Sequence, residues 1–144
     1  MFDISHLHPL TVHFPIALIV TGFFLEALSL FFNKKEPCLS RAGFYLMLLG
    51  TLAAIAAYLT GAIFTEELKG KAGDMEEWHE MFAKFTMFTM IAVSALRIFL
   101  MIRKKENTGL KWVVFGLYFI GFVFVGITGL LGGTLVYNFI IGGL

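Results

Sequence analysis

Four long apolar segments, separated by short charged stretches, dominate the chain. Each has roughly the 20 residues that a helix needs to cross hydrocarbon about 30 Å thick. Runs such as Leu46 to Leu49 lack the alternation of a membrane β-strand, and only helices or closed barrels satisfy all backbone groups in lipid. The sequence therefore predicts one all-α domain over residues 1–144, an integral membrane four-helix antiparallel bundle. The predicted helices are 10–32, 42–64, 81–102 and 112–131, and an apolar tail covers 132–144.

Composition supports this class of protein. Hydrophobic residues make up 58% of the 144 residues and charged residues only 15%, a balance that a water-soluble domain of this size does not tolerate on its surface. The chain has no phosphate-binding loop, no nucleophile constellation and no basic nucleic-acid patch. Hydrolysis, nucleotide use and nucleic-acid binding therefore have no support, and we expect a lipid bilayer around the bundle.

Charges in the loops predict the orientation. The first connection (33–41) and the third (103–111) are rich in Lys and Arg, whereas the second is mainly acidic. Because basic loops stay in the cytoplasm, both termini are expected outside the cytoplasmic membrane. The chain has one cysteine, Cys38, so neither an internal disulfide nor a c-type haem attachment is available.

The two halves of the chain resemble each other. Each half has an outer histidine, an apolar helix, a basic turn, a second apolar helix and then Thr-Gly. From His13 to Thr60 the separation is 47 residues, and from His79 to Thr128 it is 49. A parallel duplication of this kind gives two pseudo-symmetric hairpins related by an axis along the membrane normal. That axis is predicted to bring His13 and His79 together at the outer end of the bundle.

Two histidines facing each other in an apolar bundle indicate haem b, held without covalent attachment by two neutral imidazoles. His13 and His79 are the predicted axial ligands, with His8 as a neighbouring group or alternate ligand and Lys84 as a partner for a haem propionate. The proposed slot for the macrocycle is a stripe of small residues on the second helix: Gly50, Ala54, Ala57 and Gly61. Such stripes are also the ordinary means by which membrane helices pack, and that alternative stays open. A zinc or copper ion on His13 and His79 is a further possibility.

Two charged residues are predicted inside the bundle at the same depth. Glu26 precedes the first basic loop by seven residues and Arg97 precedes the third by six, so both lie roughly 10 Å from the cytoplasmic ends of their helices. An intramembrane ion pair, in which each partner offsets the other's desolvation, is the simpler interpretation. A proton path to the cytoplasm is the alternative.

At this point the sequence resembles a known family. The run from His8 to Ala17 (HPLTVHFPIA), with Thr60-Gly61, Trp78-His79 and the closing GGTLVY from Gly132, resembles the bacterial membrane family called domain of unknown function 2231. The resemblance implies recurring histidines at positions 8, 13 and 79, a redox setting, occasional fusion to c-type cytochrome domains, and a bacterial cytoplasmic membrane location. After Tyr137 the chain departs from the family's usual Gly-Val-Gly-Val-like ending.

The leading hypothesis is a small b-type cytochrome module that passes electrons between a quinol or other membrane partner and an acceptor outside, such as a c-type cytochrome. If it is part of an enzyme, it is a quinol-linked redox component and not a hydrolase. A homo-oligomer is compatible with the sequence. The alternatives are a cofactor-free structural or assembly subunit and a proton or metal transporter. The apolar tail is predicted to lie at the outer interface or to fold back as a lid over the histidines.

Overall fold

The computed structural model describes residues 7–32, 37–64, 69–105 and 108–141, and every regular element within them is helical. The helices are α1 (Leu7–Thr11), α2 (His13–Phe31), α3 (Pro37–Phe64), α4 (Lys71–Ile102) and α5 (Leu110–Leu135), which continues as a π-helix (Val136–Ile141). Four of the helices are long and apolar enough to cross a membrane. The predicted all-α membrane class is confirmed.

The four long helices form a bundle of two hairpins. α2 packs against α3 and α4 against α5, and the hairpins meet through contacts of α3 with α4 and of α2 with α5. Large side chains fill the centre, among them Ile19, Met90 and Tyr118. Other large apolar side chains, such as Phe88, stay exposed on the outer surface, as expected of helices whose outer faces contact lipid.

The first transmembrane helix has a one-residue irregularity near its N-terminus. α1 ends at Thr11 and α2 begins at His13, with Val12 between them in a backbone conformation close to helical. Pro15 explains the irregularity, because it has no backbone N–H to donate to the carbonyl of Thr11. The N–H of Val12 still donates to the carbonyl oxygen of His8 over 3.1 Å, so α1 and α2 form one continuous span, His8–Phe31.

Several predicted helix ends differ from the structure, although the predicted end of the second helix at Phe64 is correct and α3 begins at Pro37, five residues before its predicted start. α4 begins at Lys71, ten residues before the predicted start at Met81, because the intervening Glu, Met and Ala residues favour helix although they are not all apolar. α5 and its π-helical extension run on to Ile141. The described part of the tail therefore does not fold back as a lid, and Tyr137 is 74% exposed.

A repeat of 71 residues relates the two hairpins. A Cβ added at Gly50 would lie 2.7 Å from Cγ1 of Ile19, and one added at Gly121 would lie 2.6 Å from Sδ of Met90. Gly121 follows Gly50 by 71 positions, and Met90 follows Ile19 by 71 positions. The predicted pseudo-symmetric hairpins are thus supported, but the register is different: position 79 corresponds to His8, not to His13.

Candidate histidine site

His8 and His79 meet at the end of the bundle opposite the two basic loops. Their ring centroids are 6.2 Å apart and the ring planes are inclined at 80°. His8 comes from α1, and His79 from the N-terminal part of α4. Both residues are half-buried, so the pair lies within the bundle and not on its lipid-facing surface.

Each imidazole is oriented by a backbone carbonyl of the neighbouring helix. Nδ1 of His8 donates to the carbonyl oxygen of Ala57 on α3, and Nδ1 of His79 donates to that of Thr128 on α5, both over 3.0 Å. A carbonyl can only accept, so the proton of each neutral ring is on Nδ1. Nε2 is then the nitrogen with the free lone pair, which is the arrangement that metal-binding histidines usually have.

Glycine is needed where each ring packs. A Cβ at Gly61 would lie 2.9 Å from Cε1 of His8, and a Cβ at Gly132 would lie 3.0 Å from Cε1 of His79. These two contacts also obey the 71-residue repeat. Any larger residue at Gly61 or Gly132 would displace the imidazole that packs there.

The stripe of small residues on α3 is filled by neighbouring side chains. Ile19 of α2 occupies the space beside Gly50, and His8 that beside Gly61, while Ala54 and Ala57 are buried. Helix packing, the alternative that the sequence left open, accounts for this stripe. The predicted slot for a macrocycle along α3 is not present.

His13 does not take part in the pair. It is exposed, and it follows His8 by five residues, which is a rotation of roughly 140° on a helix. The predicted contact between His13 and His79 is therefore wrong, and His8 takes that place. Lys84 forms a salt bridge of 2.8 Å with Glu80, one turn earlier on the same helix.

Threonine hydroxyls near the histidines were missed by the sequence analysis. Oγ1 of Thr11 lies 3.0 Å from Oγ1 of Thr60, which is 3.4 Å from Nδ1 of His8. In the second half Oγ1 of Thr86 lies 3.3 Å from Oγ1 of Thr128. Threonine is common in membrane helices, so residue type alone did not mark these four, and the 71-residue repeat does not mark them either, because it pairs Thr60 with Leu131 and Thr128 with Ala57.

The two charged residues of the bundle interior form a salt bridge. Nη1 of Arg97 donates to Oε1 of Glu26 over 2.7 Å, and the two side chains are 8% and 7% exposed. Nη2 of Arg97 also donates to Oγ of Ser40 over 3.2 Å. The ion pair that the sequence predicts is therefore present, and its two members are also related by the 71-residue repeat.

The geometry defines the class first: a multi-pass helical membrane protein with a pair of imidazoles at one end of its bundle. The chain belongs to the family described as "Predicted membrane protein (DUF2231)", whose model matches residues 5–143. This confirms the resemblance found in the sequence. No curated protein and no solved structure matches the chain.

Proposed function

We propose that the protein is a b-type cytochrome-like electron-transfer module, in which His8 and His79 are the axial ligands of one haem b. The observation that carries this proposal is the pair of imidazoles in edge-to-face contact, each with Nδ1 held by a carbonyl. That hydrogen bond fixes the tautomer and the ring orientation and leaves Nε2 available as a ligand.

The separation of the rings agrees with two ligands on one metal ion. Imidazole nitrogens bind metal at about 2 Å, so the centroids of two rings on opposite sides of one ion are about 6 Å apart. The centroids of His8 and His79 are 6.2 Å apart. Because the two residues are equivalent in the repeat, the pseudo-twofold axis passes between them, where an ion shared by both would lie.

The donor set favours haem over a bare ion. Among the described residues no group of three or more His, Cys, Asp or Glu side chains could hold a metal, and zinc in protein sites has at least three protein ligands. A porphyrin supplies four nitrogens itself, so two imidazoles complete its coordination. Bound there, haem b would supply a one-electron couple, and because the stripe on α3 is filled, we place it at the outer end of the bundle.

The setting follows from the loop charges. The basic first and third loops support an orientation in which the histidine pair lies at the outer face of a bacterial cytoplasmic membrane, with both termini outside. In that position the site would accept electrons from a membrane quinol and pass them to an acceptor outside, for which a c-type cytochrome is suitable. These partners, and a homo-oligomer, remain part of the proposal.

Visible spectroscopy on single variants tests the proposal. The protein is purified in detergent from haem-replete cells, and haem per chain is measured by a pyridine haemochrome assay. We expect about one haem b per chain and a low-spin spectrum, as bis-imidazole ligation requires. His8→Ala and His79→Ala should each abolish that low-spin spectrum, and His13→Ala is the matched control that should leave it intact.

Two results would overturn the assignment. Loss of the spectrum in His13→Ala, with His8→Ala unaffected, would return the ligand role to His13. A colourless wild-type protein would reject haem and favour a cofactor-free assembly subunit, a function with which the filled stripe on α3 agrees.

A further inference from the structure

We infer that the turn between α4 and α5 binds the headgroup of an anionic phospholipid. This α4–α5 turn covers residues 103–111, of which the structure describes 103–105 and 108–111. It lies at the end of the bundle opposite the histidine pair, and the inference does not depend on the proposed haem site. The cations of the turn are Arg103, Lys104, Lys105 and Lys111.

The backbone keeps these cations in one compact turn. The hydroxyl of Thr108 donates to the carbonyl oxygen of Lys105 over 2.7 Å. The N–H of Lys111 donates in turn to the carbonyl oxygen of Thr108 over 3.1 Å. The cations at the end of α4 are therefore joined to the cation at the start of α5. The sequence of the turn has one acidic residue, Glu106, so positive charge predominates.

Lys104 stands at a position where glycine is usual. α4 ends in a Schellman motif, in which the N–H of Lys105 donates to the carbonyl of Leu100 and that of Lys104 to the carbonyl of Met101. The motif requires a left-handed backbone at Lys104, whose φ is 54°, and glycine adopts that conformation with less strain. A cation also opposes the dipole of α4, but Arg103 and Lys105 already supply that. A lysine kept in a strained conformation indicates a use for its charge.

Two of the cations lie over aromatic rings on the surface of the bundle. Cζ of Arg103 is 5.6 Å from the ring centroid of Phe99, and Nζ of Lys111 is 5.5 Å from that of Trp112, which are cation–π distances. The two aromatic residues are 52% and 56% exposed, so lipid reaches them. Tryptophan at the end of a membrane helix lies at the level of the headgroups, and Lys111 is held beside it. Phosphate is the anion at that level, so charge complementarity favours an anionic phospholipid as the occupant.

The first hairpin supplies a matched control. The positions 71 residues before Arg103 and Lys111 are Phe32 and Ser40, neither of which is charged. Arg41 is an exposed cation at the same end of the bundle, but it belongs to α3, which lies diagonally across the bundle from α5. A general attraction between basic loops and anionic lipid would involve Arg41 and Lys111 alike, whereas a site in the α4–α5 turn involves only Lys111.

Quenching of Trp112 fluorescence by brominated phospholipids measures which lipid lies beside the turn. The chain has two tryptophans, and Trp78→Phe leaves Trp112 as the only reporter. This variant is reconstituted into phosphatidylcholine bilayers in which the same fraction of either phosphatidylcholine or phosphatidylglycerol is brominated. We expect brominated phosphatidylglycerol to quench Trp112 more strongly, and added salt to reduce the difference.

Single substitutions in the Trp78→Phe background locate the site. One cation near an anionic lipid surface contributes a factor of up to about 5. Arg103→Gln and Lys111→Gln should therefore each lower the preference for phosphatidylglycerol by a factor of about 2 to 5, and Arg41→Gln should leave it unchanged. Lys104→Gly should also lower the preference. Because this variant relieves the left-handed strain, misfolding would not explain its loss of preference.

Three results would overturn the inference. The first is equal quenching of Trp112 by the two brominated lipids. The second is an equal loss of preference in Arg41→Gln and Lys111→Gln, which would show a charge effect of the whole end of the bundle. The third is an equal preference in Trp112→Phe, where Trp78 reports from the histidine end, because the anionic lipid would then surround the bundle without a site.

Discussion

Exchanging the two charges of the buried salt bridge tests both the ion pair and the repeat. Glu26→Arg alone would place two cations in the bundle interior, and Arg97→Glu alone would place two carboxylates there. Removing one partner of a buried pair costs about 3–5 kcal/mol because an uncompensated charge remains. At side-chain exposures of 8% and 7%, solvent screens little of this cost, so each single variant should lose at least about 3 kcal/mol of unfolding free energy.

The double variant Glu26→Arg/Arg97→Glu should recover most of the unfolding free energy that each single variant loses. Residues 26 and 97 are equivalent positions in the repeat, so the exchanged charges occupy similar surroundings and can form the same salt bridge in reverse. Recovery should not be complete, because Ser40 accepts a hydrogen bond from Arg97 and the residue equivalent to Ser40 is Lys111, a cation that would repel an arginine at position 26. We expect the double variant to fall within about 1–2 kcal/mol of the wild type.

Unfolding in mixed micelles of mild detergent and dodecyl sulfate, followed by tryptophan fluorescence, gives the four free energies of this double-mutant cycle. The coupling energy is the difference between the double variant and the sum of the single variants. A coupling energy below about 1 kcal/mol would refute a strong buried ion pair between Glu26 and Arg97, because ion pairs on the protein surface already reach that value. Single variants as stable as the wild type would refute the burial argument directly.

Three further predictions follow from particular contacts. Gly132→Ala should displace the imidazole packed 3.0 Å from its added methyl group and reduce haem content, whereas Gly133→Ala, which meets nothing within 4 Å, should not; equal haem contents would contradict this. Cys38 is exposed, so a membrane-impermeant maleimide should label it only after intact cells are broken, and labelling of intact cells would reverse the predicted orientation. Ending the chain before Val136 should leave the haem spectrum unchanged because Tyr137 is exposed, and a lost band would give the tail a role at the site.

The hydrophobic pattern predicted the bundle because lipid constrains the length and composition of a spanning helix more strongly than water constrains a soluble one. Counting residues back from the basic loops also placed Glu26 and Arg97 at the same depth in the bundle. The start of α4 was mispredicted, since hydropathy marks only the apolar part of α4 and not its charged N-terminal turns from Lys71.

The stripe of small residues could not be interpreted from the sequence. A glycine can leave space for a cofactor or allow a neighbouring side chain to approach, and both uses give the same spacing. Only the packing shows that Ile19 fills the space beside Gly50. The contacts between threonine hydroxyls were missed for a related reason, because the two members of each contact lie on different helices and their sequence separation has no helical period.

The identity of the histidine that pairs with His79, in contrast, was available in the sequence. Arg97 follows His79 by 18 residues, and Glu26 follows His8 by 18 residues. Eighteen residues are five turns of about 3.6 residues each, so each histidine lies on the same helical face as the charged residue that follows it. His13 precedes Glu26 by 13 residues, which puts it roughly 140° away from that face. Once Glu26 and Arg97 are taken to pair across the bundle, helical phase alone assigns His8 to the interior and His13 to the outside.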